Sequence, residues 1–281
     1  TGTSLATPTS APVPGFGFGV EYMLPGLAST YAQLGVRWVR SDTTETFSWG
    51  TIEPQAPREG RHASQWAKAD RWIAEWQGAG FDIQVYTNAN STWASSKPKH
   101  HVPDPEHMAG FEEFVFNLVE RYDGDGNRDM PGLRRPILDY TVVEEWTGYF
   151  PGTVAEYLEI LTVAHRAIKR ANRAARVRLV DLFLIDVFDG SPSPEEIARR
   201  AAQDHVLRHP VAEVQEILRH PDLFDIVEIH ALGDYTELYP TADWLRAEMR
   251  KNGYSKPIWI GDALPVSSLI MAKGPRGLLP G

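Results

Sequence analysis

Short hydrophobic runs along this chain alternate with stretches whose apolar residues recur at helical spacing. GFGFGVEY (15–22), VRWVRSD (36–42), FDIQVYTN (81–88), residues 136–145, VRLVDLFLIDV (177–187), FDIVEIHAL (224–232) and KPIWIGD (256–262) read as seven strands. Between them, residues 27–34, 64–79, 104–122, 153–175, 194–220 and 241–252 read as helices. Asp104 and Pro105 supply a cap and a first-turn residue, and Thr153 with Glu156 three residues on makes a capping box. Pro210 breaks the fifth helical stretch, while Gly80 and Gly253 close the second and the last.

Strand–helix alternation without doubling back predicts a parallel sheet. Seven such units, with no glycine-rich phosphate loop after the first strand, predict an α/β protein of the (β/α)8 TIM-barrel type and not a dinucleotide-binding sheet. After Asp262 only 19 residues remain, where a helix, an eighth strand and a last helix need roughly 30 or more. No eighth strand is identifiable, so the expectation is an incomplete barrel or a C-terminal region partly absent from this sequence. Residues 15–281 are expected to form this single domain. Residues 1–14 form a Pro/Ser/Thr-rich leader that is expected to be disordered. The leader resembles the mature N-terminus left once a signal peptide has been removed, and points to a secreted or cell-surface protein; an expression remnant is the alternative.

Composition narrows the partners. Among 281 residues, 42% are hydrophobic and 23% charged, as in ordinary soluble globular chains. A net charge of −9 argues against nucleic acid and anionic membranes. No apolar run approaches the roughly 20 residues of a membrane span. The absence of cysteine excludes disulfide and thiol chemistry.

In such barrels the active site lies at the C-terminal strand ends. Those ends supply Glu21, Arg40 and Asp42, then Asn88 and Asn90 with Trp93, then Glu144 and Glu145 with Trp146 and Tyr149. Asp186 and Asp189 come next, then His230 with Tyr235, and Asp262. Cleaving a glycosidic bond needs two carboxyl groups flanking it, one to give a proton and one to attack carbon or activate water. Aromatic faces suit sugar rings. For any one of these carboxylates, a solvated or structural role is the alternative.

Several stretches resemble retaining (β/α)8 glycoside hydrolases, the clan with an acid/base on strand four and a nucleophile on strand seven. VRWVRSDTTETFSWGTIEP (36–54), with its W-x-x-I-E-P turn, is similar to their second-strand region. RYDGDGNRDMPGL followed by PILDYTVVEEW resembles the approach to the fourth strand, which usually ends Asn-Glu-Pro. GTVAEYLEILTVAHRAIKRANRAARV resembles the next helix, FDIVEIHALGDY the sixth strand, and KPIWIGDA a seventh strand ending in a catalytic glutamate. The resemblance implies Glu145 as acid/base and Asp262 as nucleophile or water-activating base. It also implies Arg40 as support for the nucleophile and His230 or Tyr235 as residues lining the site. Glu144 falls on the sugar-binding asparagine and Trp146 on the proline. Trp93, Trp146 and Tyr149 are candidate sugar contacts. The shorter aspartate at the nucleophile position reduces reach by ~1.5 Å, against separations of about 5–5.5 Å in retaining and 6.5–9.5 Å in inverting sites.

Other motifs carry less. DGDGNRD (123–129) has oxygen ligands at alternate positions, but Arg128 and Arg134 stand where a calcium loop wants Gly and Glu, so a polar turn is expected. His100, His101 and His107 lack zinc-protease spacing and read as loop residues. Glu228, between apolar neighbours, is expected inside the barrel in a structural ion pair. The expected function is glycoside hydrolysis of a poly- or oligosaccharide, by a monomer without cofactor or metal. The alternative is a non-catalytic carbohydrate-binding protein on the same fold.

Overall fold

The computed structural model describes residues 19–21, 26–41, 46–58, 63–143, 145–182, 185–203, 209–231 and 235–263. Its strands are β1 (Gly19–Val20), β2 (Trp38–Arg40), β3 (Asp82–Thr87), β4 (Asp139–Val142), β5 (Arg176–Leu182), β6 (Ile226–Ala231) and β7 (Ile258–Ala263). The α-helices are α1 (Ala28–Gln33), α2 (Trp49–Ile52), α3 (Ala67–Gly78), α4 (Met108–Glu120), α5 (Trp146–Tyr149), α6 (Val154–Ala171), α7 (Ile185–Phe188), α8 (Pro194–Gln203), α9 (Val211–Ile217) and α10 (Leu238–Lys251). All seven strands pair in parallel, in chain order. This is the sheet of a TIM-type barrel, as the alternation predicts.

Strand side chains alternate between two faces, and here the two faces differ in chemistry. Val39, Ile83, Val85, Tyr140, Val142, Val177, Leu179, Val227 and Ile229 are buried in the apolar core shared with the helices. The intervening residues, Trp38, Arg40, Gln84, Tyr86, Asp139, Thr141, Arg178, Glu228, His230 and Trp259, meet each other across the barrel. Trp38 and Trp259 touch with ring centroids 5.3 Å apart, and the Arg178 guanidinium lies 4.2 Å from the Trp259 ring centroid. Gln84 Nε2 on β3 donates to Glu228 Oε2 on β6 at 2.7 Å. These contacts join strands far apart in the sheet, so the sheet is curled around them. Barrel interiors more often hold branched apolar residues.

The helices close the outside. On α6, Tyr157, Ile160, Leu161, Ala164, Ala167 and Ile168 are buried along one face. Thr153 and Glu156 form the expected capping box, which satisfies two amides at the helix start. Several boundaries differ from the sequence expectation, β4 among them, which spans only Asp139–Val142 of the expected 136–145; three more have a visible local reason. Helix α6 stops at Ala171, not near 175: Asn172 is extended, and its Oδ1 accepts the Ala174 amide at 2.9 Å, a local bond that competes with the helix. Asp104 makes no side-chain cap; its carboxylate takes the Ser96 amide (2.9 Å) and hydroxyl (2.8 Å), and a 3-10 turn precedes α4. Val187 lies in α7 and not in β5, because an apolar run alone does not separate strand from short helix.

Candidate functional site

The site starts from β4. Val143 continues the pairing, its amide donating to Thr87 O at 2.9 Å. Yet Val143 has φ 72° and Glu145 φ 35°. A β-branched residue with positive φ is a true outlier, and such strain gathers at functional positions. This abrupt turn ends the strand and makes Glu145 the residue before α5, whose Gly148 and Tyr149 amides donate to its carbonyl at 3.0 and 2.9 Å.

The Glu145 side chain, 13% exposed, lies over the interior. Its Oε1 is 2.8 Å from His230 Nδ1. The other ring nitrogen, Nε2, is 2.7 Å from Arg40 Nη1. A guanidinium only donates, so Nε2 accepts and the proton sits on Nδ1. Nε2 therefore presents a lone pair to Arg40, and Nδ1–H donates to Glu145. Arg40 also pairs with Glu21, donates to Tyr86 Oη at 2.9 Å, and stands 4.6 Å from the Tyr86 ring centroid.

Beneath this row lies a second one. Glu228 is fully buried. It accepts from Gln84 Nε2, from Tyr86 Oη at 3.2 Å and from Thr141 Oγ1 at 3.4 Å, and pairs with Arg178 Nη1 at 3.9 Å. Arg178 in turn donates to Asp139 Oδ1 through Nε at 3.0 Å. Tyr86 links the rows by accepting from Arg40 and donating to Glu228. A buried charge costs several kcal/mol unless paired and hydrogen-bonded, and this network supplies that pairing. Glu228 thus has the structural role the sequence suggests.

Asp262 reaches this rim through an irregularity. Ile229 pairs with Ile260, but His230 pairs with Asp262, leaving Gly261 as an extra residue in β7. Trp259 faces the interior, where its ring meets Trp38 and Arg178, so strict alternation would send Asp262 outward. The bulge resets the parity, and Asp262 shares the face of its partner His230. Gly261 is there for a second reason: a Cβ at this position would lie 1.8 Å from Glu228 Oε1. Glu145 and Asp262 are thus both neighbours of His230, one through its ring and one through backbone register. Among the described residues, Arg40 contacts Glu21, Tyr86 and His230 and makes no ion pair with Asp262.

The aromatic candidates separate. Tyr149, 65% exposed, stands on the turn after Glu145. Trp93 is half-buried against Trp49 (4.8 Å) and donates to Glu53 O at 2.7 Å. Trp146 is a correction: it is fully buried, stacked on His209 at 4.0 Å, and offers no face to a sugar. Glu144 and the side chains of Tyr235 and Asp186 lie outside the described residues. Tyr86, Gln84 and Gly261 are site residues that the sequence reading missed. The inward parity of Gln84 and Tyr86, two and four positions beyond Asp82, was the available signal.

The 123–129 loop brings Asp123, Asp125 and Asp129 carboxylate oxygens within 4.8 Å of one another. Local amides occupy them: Gly124 and Gly126 donate to Asp129 at 3.0 and 2.7 Å, and Asp125 donates to Asp123 at 3.2 Å. Burial, together with the charges of Asp125, Glu120 and Asp129, pushes Asp123 up to about 6. Among the described residues, no helix is long and apolar enough to cross a membrane.

No family profile matches the chain, and no curated protein matches it in sequence. Solved structures do match it. A GH39 β-xylosidase from Caulobacter crescentus superposes with TM-score 0.58 at 17% identity, over 91% of this chain and 55% of that one. A glucosidase from Croceicoccus marinus gives 0.56 at 17%, over 87% and 49%. The xylanase TsXylA from Thermoanaerobacterium saccharolyticum gives 0.52 at 13%, over 92% and 78%. The chain spans about half the length of the first two. At such identities the likeness is one of fold, a parallel TIM-type barrel that these glycosidases share with this chain.

Proposed function

We propose that this chain hydrolyses O-glycosidic bonds of a poly- or oligosaccharide through two carboxyl groups, Glu145 and Asp262. The observation that carries the reading is the Nδ1–H bond from His230 to Glu145 Oε1, which fixes a carboxyl group over the C-terminal mouth of the barrel. With Oε1 occupied as an acceptor, the acidic proton belongs on Oε2, and Glu145 gives it to the departing glycosidic oxygen. Asp262, across His230, attacks the anomeric carbon or takes a proton from the attacking water. Arg40 acts through His230, fixing its tautomer. Tyr149 and Trp93 are candidate sugar contacts, as are Glu144 and Tyr235 on sequence grounds. The fold neighbours named as glucosidase, β-xylosidase and xylanase support glucose- and xylose-containing glycosides as first substrates.

The test is a panel of aryl β-glucosides and β-xylosides alongside xylan and glucan, with Glu145→Gln as control. Hydrolysis that the variant loses on unactivated substrates supports the reading. A second reading, carbohydrate binding without cleavage, is favoured by the aspartate at the end of β7. No hydrolysis on any substrate, with sugar binding by calorimetry, selects that reading.

A further inference from the structure

The turn that carries Glu145 is gripped from outside the barrel by one residue. His209, 4% exposed, precedes Pro210 and α9. Its backbone amide donates to Thr147 O at 3.1 Å. Its ring Nε2 lies 2.8 Å from Phe150 O, and Nδ1 lies 2.8 Å from Glu213 Oε2. Its ring stacks on Trp146 at 4.0 Å with 22° between planes. His209 thus holds Trp146, Thr147 and Phe150, at both ends of the segment after Glu145. Among the described residues Trp146 Nε1 is buried without a hydrogen-bond partner, so the indole is placed by its ring contacts, with His209 in one of them and Tyr157, 5.5 Å away, in another.

Both ring nitrogens face acceptors. A carbonyl never donates, and an ionised carboxylate only accepts. A neutral imidazole has one N–H and would leave one contact as lone pair against lone pair. The full set of contacts needs both protons, and the stacked indole face suits a cation. We propose that His209 is a positioning residue, held doubly protonated between Phe150 and Glu213, that clamps the strained turn presenting Glu145. The left-handed backbone at Val143 and Glu145 persists only if its surroundings over-determine it, and the clamp one residue further on does this. The catalytic consequence rests on the role of Glu145 proposed above; the clamp itself does not.

Nitrogen-15 spectra of histidine-labelled full-length protein at pH 7 read the clamp directly, with His209 assigned through His209→Phe. Two ring nitrogens at imidazolium shifts, both with slowly exchanging protons, are expected. A neutral ring overturns the proposal. Hydrogen exchange then reads the turn: His209→Phe keeps an aromatic ring but loses both donors, and the amides of residues 148–150 are expected to exchange ~10-fold faster. Unchanged exchange overturns the clamp. Glu213→Ala, which removes the acceptor facing Nδ1 on the more exposed side of the pair, gives the same comparison if His209→Phe is not stably folded. On unactivated glycosides, His209→Phe is expected to lower kcat about tenfold with little change in KM, the mark of a displaced catalytic group. Equal loss in both parameters overturns positioning through Glu145. If wild type hydrolyses nothing, the function fails while spectra and exchange still decide the clamp.

Discussion

Arg40 fixes the tautomer of His230: Nη1 and Nε2 are 2.7 Å apart, and only the arginine can donate. The consequence appears on the far side of the ring, where Nδ1–H is committed to Glu145. An arginine that does not touch Glu145 therefore decides which way the neighbouring imidazole points its proton.

His230→Phe removes that donor and is expected to lower kcat on unactivated glycosides by roughly 10²-fold, within the range of positioned acid–base groups. His230→Asn, whose amide can stand where Nδ1 stood, should recover part of the loss. Steady-state kinetics on a leaving-group series checks both. Equal loss from the two variants on every substrate would mean that the hydrogen bond has no role in proton transfer.

Asp262 is tested by product stereochemistry. Asp262→Ala is expected to reduce turnover by at least ~10³-fold if Asp262 is nucleophile or base. If it is the nucleophile, Asp262→Glu restores reach, keeps the anomer and raises turnover. If it activates water, the longer side chain crowds the water out and turnover falls, with an inverted anomer in the wild-type product. Proton NMR of the first-formed sugar distinguishes these, and an unaffected Asp262→Ala removes the residue from the mechanism.

Gly261→Ala places a methyl 1.8 Å from Glu228 Oε1, so the carboxylate must leave its bonds to Gln84 and Tyr86. A destabilisation of about 2–4 kcal/mol is expected from disturbing a buried ionic network. Glu228→Asp, one methylene shorter, should recover part of it in the double variant, a non-additivity expected of contacting residues. Urea midpoints for the four proteins of the cycle measure this.

Asp123 gives a pH-dependent prediction. Burial first, and then neighbouring carboxylates, push it up to about 6. A raised acid costs the folded state nothing while protonated in both states; the cost grows as pH rises from the unfolded value through the folded one. Asp123→Asn keeps an acceptor for the Asp125 amide and removes the charge. It is expected to raise Tm by about 2 °C at pH 7.5 and by less at pH 5. A gain that is the same at both values would place the effect elsewhere.

Much of the fold was legible because helices and strands here carry local signals. The Thr153–Glu156 capping box and the seven hydrophobic runs need no tertiary knowledge to read. Glu145 and His230 were legible as strand-end residues, and Glu228 as an interior charge. What sequence could not give was pairing at a distance. Gln84 and Tyr86 in FDIQVY and Asp139 and Thr141 in LDYTVV look like a solvated face, yet they line the barrel's interior. Trp146, beside the key carboxyl, reads as a sugar platform until His209, 63 positions later, is seen stacked on it. The bulge at Gly261 changes which side Asp262 faces, and a bulge is written in the register between two strands and not in either alone.

The polar column through the barrel has a calorimetric meaning. Exposing apolar surface raises the heat capacity of the unfolded chain, and exposing polar surface lowers it. A barrel centred on Arg40, Gln84, Asp139, Arg178, Glu228 and His230 releases charged groups to water where a usual barrel releases valine and leucine. Its stability curve should therefore be flatter than its length implies, with a ΔCp below the ~12–15 cal/mol/K per residue typical of globular proteins. The ion pairs at its centre become cheaper to keep dry on heating, since the hydration of charge weakens as temperature rises. The same interior that orients Glu145 makes folding less sensitive to temperature at both ends of the curve.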